Sequence, residues 1–329
     1  APRDVMQPRV TEDGVLIQGF FPGTEAAEVL VGKKVYPMTL EDEAGYYAVM
    51  IPLKRIPEYR FRVTRGNMKE TFYDAYECPC QITEEEEKAF CAGVYYKAYQ
   101  KLGAHPGNCC GVQGTYFAVW APNAIRVSVV GDFDRWDGRR LPMHRMPMSG
   151  IFELFVPGVK AGSAYQYEIK VKGGNIRRKS DPYGNGTQEP PSVISVVTEL
   201  GDFSWQDDVW MKERVKYESR EIPVSVYETD ITAWKNNIDF VNFVKETGYT
   251  HVELHPVMEY LDQKSGGYST SAYYSVTTRF GTAEDFRVLV EELHQAGIGV
   301  ILDWAPAQFP RFDAGLEKFD GTPLYEVQD

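Results

Sequence analysis

Residues 250–310, THVELHPVMEYLDQKSGGYSTSAYYSVTTRFGTAEDFRVLVEELHQAGIGVILDWAPAQFP, constrain the fold more than any other stretch. Two short apolar runs, HVELHPV and GVILDWA, have the Val, Ile and Leu content of strands buried on both faces of a parallel sheet. Between them Thr282 precedes Glu284 and Asp285, acids that suit a first helical turn. Phe286, Leu289, Val290 and Leu293 then recur at helical spacing, and Gly297 ends the run. Strand, crossover helix and strand make one βα unit. The sixteen residues 265–280 form a long insert after the first strand, and Asp303 ends the second strand at the same edge. Long loops at the carboxyl ends of parallel strands are where barrels and open sheets carry their sites.

Upstream the pattern changes to short alternating strands: VLIQGFF, AEVLV, KKVYPM, GYYAVMIP, YRFRVTRG and ETFYDAY, separated by Gly, Pro and acidic turns. The same order returns from Thr115, where GFFPGTEAAEVLVG is answered by VWAPNAIRVSVVG, GYYAVMIP by GIFELFVP, and YRFRVTRGNMKETFYDAY by YQYEIKVKGGNIRRKSDPYG. An internal repeat of this kind predicts two tandem all-β immunoglobulin-like sandwiches. Residues 84–106 read as a helical or irregular connector, and Trp120 and Trp136 as β-segment residues that fill the second sandwich. The chain thus divides into a first sandwich with its connector (1–100), a second sandwich (101–200), and a linker with three βα units (201–329). Residues 220–329 number 110, whereas a (β/α)₈ barrel takes about 250. The α/β part is therefore expected to be an incomplete TIM-type barrel whose strand edges and inner face lie open, inviting self-association.

Charge narrows the partners. With 47 acidic against 35 basic residues the formal charge is −12, so nucleic acid is not an expected partner. No run approaches a membrane span, and APRDVMQPRV lacks a signal-peptide core. Cys78, Cys80, Cys91, Cys109 and Cys110 form neither a disulfide framework nor a zinc pattern, since adjacent Cys109 and Cys110 are poorly placed to share a metal. Free thiols in a reducing cytoplasm, with no metal and no cofactor, are the expectation.

VELHPVMEY, the run from GGYSTSAYYSVTTRFG to VILDW, and FDGTPLYE resemble the first part of the catalytic barrel of glycogen branching enzymes, in the alpha-amylase superfamily. FAVWAPNAIRVSVVGDFDRWDGR and SDPYG are similar to the carbohydrate-binding module that precedes that barrel. The resemblance implies an alpha-glucan (glycogen, amylose or amylopectin) as partner and a substrate-binding role for Tyr268, Asp303 and Gln308. Tyr268 matches the tyrosine that stacks on the sugar at the cleavage subsite, and Asp303 an acid that orders the site. Gln308 stands where the family has His, Gly266 where it has Trp, Ser269 where it has Gln, and TDITAW replaces VHLGSW.

Retaining glycosyl transfer needs two carboxylates about 5 Å apart and no cofactor. In the superfamily these come from the fourth and fifth strands, so no catalytic residue is assigned among Glu228, Asp230, Glu253 and Asp303. Two readings follow from the resemblance. In one, the chain is the amino-terminal portion of a branching enzyme, cut from a longer polypeptide and inactive alone. In the other, it is a non-catalytic glucan-binding or regulatory relative.

Overall fold

The alternation in VLIQGF turns Val15 and Ile17 inward with no exposed surface, and their strand, Gly14–Phe20, is central to its sheet in a computed structural model that describes residues 2–218, 222–306 and 309–327. One sheet runs Arg9–Thr11, Gly14–Phe20, Tyr46–Ile51, Thr39–Asp42, and the other Lys34–Pro37, Ala26–Val31, Arg60–Arg65, Met68–Phe72. Both are antiparallel, and Val15, Ile17 and Ile51 from the first meet Val29, Phe61 and Val63 from the second in one core.

The second β-rich domain reproduces these pairings. Val112–Trp120 pairs with Ile151–Pro157 as Gly14–Phe20 does with Tyr46–Ile51, and Arg126–Gly131 pairs with Ala164–Lys170 as Ala26–Val31 does with Arg60–Arg65. The repeat extends to a buried polar pair. Tyr59 donates its hydroxyl to Asp74 at 2.5 Å, and in the second copy Tyr165 and Tyr167 donate to Asp181 at 2.7 and 2.9 Å. Each carboxylate is thereby satisfied away from water, as burial of a polar group demands.

Two expectations about this half are corrected. The supposed connector holds a helix, Glu84–Cys91, closed by a capping box from Thr83 and Glu86, but from Gly103 it becomes a strand, Gly103–Cys109, paired with Val112–Trp120. Gly, His and Pro in that run hide the strand from a propensity reading, and cross-strand pairing overrides them. Trp136 is not in a strand: it follows a 3₁₀ turn, Asp132–Asp134, with φ of 58°, and stays half-buried.

Between the two β-rich domains lies a cavity of about 320 Å³ walled by Phe21, Phe61, Phe72 and Phe133, onto which Asp74 and Asp134 also face. Burial pushes both carboxyls up to about 7, from an ordinary 3.8. A raised folded-state value means that the folded chain holds protons the unfolded chain releases between about pH 4 and 7. This contribution is complete at low pH and lost as pH rises through that window. Asp74→Asn is therefore expected to gain stability relative to the unsubstituted protein as pH goes from 5 to about 7.5. Paired thermal melts across that range test it, and a pH-independent difference would sink it.

The third region has Val226–Thr229, His251–Leu254 and Gly299–Leu302 as a parallel sheet in that order, in register from Val226 through His251 to Gly299. Helix Asn237–Thr247 is capped by Asn236 and ends on Gly248 in the left-handed region; helix Ala283–Gln295 carries a capping box from Thr282 and Asp285. Phe240, Val244, Leu289 and Leu293 seal one face of the sheet. Burial on both faces, expected from the apolar runs, does not hold even for the central strand, where Val252 and Leu254 are buried but His251 and Glu253 are half-buried. Val226 is 38%, Ile301 39% and Leu302 47% exposed, because among the described residues the flanking strands have no neighbours on their outer edges. The linker meets the far end of the sheet: Trp210 stacks on His294 at 5.4 Å, and His294 Nδ1 lies 2.7 Å from Asp207. Among the described residues no helix is long and apolar enough to cross a membrane.

Among the described residues, the chain after the third strand adds no neighbour to the open sheet edge. It returns to the second β-rich domain, placing Phe319 in that domain's core with no exposed surface.

Candidate functional site

The insert after His251–Leu254 folds rather than loops. Met258–Tyr260 and Thr270–Val276 form an antiparallel hairpin with an irregular register, a correction to the loop expected there. The alternation in STSAYYSV was visible, but Gly and Ser on its flank masked the partner strand. Glu259, nearly fully buried, anchors the hairpin. It accepts from Thr277 Oγ1 at 3.1 Å, Thr278 N and Oγ1 both at 2.7 Å, and Arg279 Nη1 at 2.9 Å. Arg279 lies 4.1 Å above the Tyr260 ring and donates to the Tyr260 carbonyl at 2.8 Å.

The hairpin tip delivers Tyr268 to the carboxyl edge of the parallel sheet. Gly267 is required there: its φ is 93°, and a Cβ would sit 2.6 Å from the Pro256 carbonyl oxygen. Gly266, at φ 59°, has only the Tyr268 ring at 3.9 Å from such an atom, so the backbone and not space disfavours a larger residue. Tyr268 donates its hydroxyl to Asp303 Oδ2, and this bond holds the phenol proton, pushing the group up to about 12. Tyr268 and Asp303, distant in sequence, are thus brought together as a pair. His255 completes the edge, 3.2 Å from Glu228 and 6.2 Å between ring centroids from Tyr268. Gln308 and its neighbour Ala307 lie outside the described residues.

Beside this pair runs a groove of about 410 Å³ lined by Tyr183, Tyr273, Tyr274, Trp304, Phe309 and Tyr325. Tyr183 of the second β-rich domain stacks on Tyr274 of the hairpin at 4.8 Å and 26°. Trp304, next to Asp303, is 62% exposed and Tyr274 45%. Flat, rigid, partly solvated rings next to a hydrogen-bonding carboxylate suit a polyhydroxylated ring with apolar faces. The sequence signal for this groove was only the aromatic content of SDPYG, SAYY and DWAP, which come from three parts of the chain.

A second aromatic ring, partly exposed, lies on the second β-rich domain. Trp136 donates its indole N–H to Asp132 at 2.7 Å, its carbonyl accepts from Arg178 at 2.9 Å, and the guanidinium sits 6.0 Å from its ring. These contacts hold the half-buried indole in one orientation.

Comparison with known proteins gives three matches along the chain. Residues 2–76 match the alpha-1,4-glucan branching enzyme GlgB N-terminal domain, 101–184 match carbohydrate-binding module 48 (isoamylase N-terminal domain), and 228–307 match the alpha amylase catalytic domain. The chain is 42% identical to the 1,4-alpha-glucan branching enzyme GlgB of Frankia casuarinae, over 98% of this chain and 41% of that protein. It is 38% identical to the same enzyme of Cellvibrio japonicus, over 98% of this chain and 46% of that one. The chain therefore spans less than half the length of these relatives. Among solved structures, a type I pullulanase from Bacillus subtilis complexed with maltose has a TM-score of 0.54 at 18% identity, covering 97% of this chain and 49% of its own, a likeness of fold.

Proposed function

We propose, of a chain that belongs with the 1,4-alpha-glucan branching enzymes of the alpha-amylase superfamily and matches their amino-terminal portion, that it holds alpha-glucan without itself making branches. On this reading the two β-rich domains (1–100 and 101–200) are immunoglobulin-like sandwiches. Residues 201–329 supply the first three βα units of a (β/α)₈ barrel. The observation that carries the proposal is the Tyr268–Asp303 contact at the carboxyl edge of the parallel sheet, beside the aromatic groove of Tyr183, Tyr274 and Trp304. Catalytic sites of this barrel architecture lie at that edge.

Tyr268 and Asp303 bind and orient a sugar ring, and Gln308 offers a further hydrogen bond. Trp304 and Tyr274 carry the neighbouring rings of the chain. Transfer to an α-1,6 branch proceeds through a glycosyl ester on a carboxylate, with a second carboxyl group as acid and base. In the superfamily those groups come from later strands, and the whole relatives are more than twice as long as this chain. Residues 1–329 are accordingly expected to produce no new α-1,6 linkages from amylose, while retaining affinity for maltooligosaccharides.

Substituting Trp304 or Tyr274 by Ala is expected to weaken that affinity about 2–12-fold each, the worth of one aromatic stack of about 0.5–1.5 kcal/mol. Fluorescence titration and glycogen-containing native gels measure it. Unchanged affinity in both variants would move the binding surface elsewhere, and branch formation by this chain would overturn the inactive reading. Trp136, pinned but solvent-facing, supports the second reading, a glucan-binding relative whose module engages the polymer on its own. In that case Trp136→Ala, and not Trp304→Ala, releases the protein from glycogen.

A further inference from the structure

Adjacent residues in a strand point to opposite faces, so Cys109 and Cys110 are poor partners on sequence alone. The hairpin between Gly103–Cys109 and Val112–Trp120 breaks that rule. Cys110 takes a φ of 52° and Gly111 one of 82°, the pair of left-handed residues of a tight two-residue turn, with Gly111 N donating to Asn108 at 2.9 Å. The turn brings the two sulfurs to 3.9 Å. Cys78, from the segment leaving the first β-rich domain, arrives at the same place, so that the thiols of Cys78, Cys109 and Cys110 all lie within 4.8 Å of one another. Cys80, the nearer partner in sequence, is engaged elsewhere, accepting from Arg3 at 2.8 Å.

We infer that Cys78, Cys109 and Cys110 form a three-thiolate site for one soft closed-shell cation of the Cu(I) or Cd(II) type. A metal–sulfur bond of about 2.3 Å in a trigonal arrangement puts the sulfurs about 4.0 Å apart, close to the spacing seen. Thiolate sulfur selects soft ions over the hard cations that carboxylates and water prefer. Cys78 and Cys109 are buried against Phe155 and Tyr116, whose ring lies 4.6 Å from that of Phe155, while Cys110 is exposed and opens the entry path. Binding forms three S–metal bonds and releases the three S–H protons to solvent. No electron is transferred and the ion keeps its charge. Because Cys78 and the hairpin belong to different parts of the chain, the bound ion staples the exit of the first domain to the second, and folding and binding become linked.

The test uses the reduced, metal-stripped protein of residues 1–329. Titration with Cd(II), followed by the ultraviolet thiolate-to-cadmium band, is expected to saturate at one equivalent, and Cu(I) is expected to be held against a chromogenic chelator. Cys110→Ser is expected to cut the band by about a third and weaken affinity by more than 100-fold, beyond the 10–100-fold that changes around a metal's ligands cost. Cys110→Asn, better suited to left-handed backbone, removes the same ligand while favouring the turn, so lost binding there is not lost folding. Cys91→Ser, outside the trio, is expected to change nothing, and Cd(II) should raise Tm in the parent protein but not in either Cys110 variant. Absence of a saturable band, unchanged affinity in the Cys110 variants, or oxidation of the trio to a disulfide in place of metal binding would overturn the site.

Discussion

Phe319→Ala lowers the stability of the second β-rich domain by about 3–5 kcal/mol, the range for emptying a fully buried aromatic position. The residue belongs to the segment that follows the third parallel strand, yet its side chain lies in the other domain's core, edge-on to Tyr325 at 5.6 Å. Neighbouring contacts hold it in place. Asp320 accepts from Asn123 N at 2.9 Å and from Asn123 Nδ2 at 3.1 Å, and the fully buried Lys179 donates to the Glu317 carbonyl at 2.7 Å. Gly321 has φ 92°, and a Cβ there would meet Val171 at 2.7 Å, so the backbone presses directly on the domain. Truncating Phe319 therefore leaves a cavity that the surrounding hydrogen bonds prevent from collapsing. Urea unfolding measures the loss, and a change below about 1 kcal/mol would mean that the segment only rests on the surface. The functional consequence is positional, because the same segment supplies Tyr325 to the aromatic groove.

Glu259→Gln is the second large effect, about 3–5 kcal/mol, because it breaks a buried ion pair while leaving the Arg279 guanidinium only 22% exposed. The neutral amide also loses the charge-assisted bonds from Thr277 and Thr278. The hairpin Met258–Tyr260 with Thr270–Val276 depends on this carboxylate, so much of the loss is expected as local opening. Amide hydrogen exchange in that hairpin should accelerate by at least about 100-fold, while the β-rich domains keep their protection. Tyr268 then loses its fixed approach to Asp303, and on the proposed reading affinity for maltooligosaccharides falls with it. Unchanged exchange in the hairpin would show that pairing between its strands, and not Glu259, holds Tyr268 at the sheet edge.

Much of this was legible in the sequence. The alternation of VLIQGF and GYYAVMIP, matched by its repeat, is written in residues one or two apart, and it folded as paired antiparallel sheets. Thr282, Asp285 and the spacing of Leu289 and Leu293 mark a helix through contacts no more than four residues apart, and that helix lies where the pattern put it. Tyr268 and Asp303 were picked out by family resemblance, and the fold joins them with a hydrogen bond.

What needed the tertiary structure involves partners that no segment reveals when read by itself. A strand at Gly103–Cys109, composed against propensity, exists because Val112–Trp120 lies beside it. The exposure of Ile301 and Leu302 depends on whether a neighbouring strand covers them, which their own apolar character does not reveal. Local sequence determined most of the strands and helices, since propensity, alternation and capping act over a few residues, though not the strand Gly103–Cys109 or the hairpin of Met258–Tyr260 with Thr270–Val276. Only the tertiary structure decided that Tyr183 meets Tyr274, that Phe319 enters a domain far upstream, and that Cys78 joins Cys109 and Cys110. Those meetings depend on packing and burial across the whole chain, which no short stretch of residues encodes.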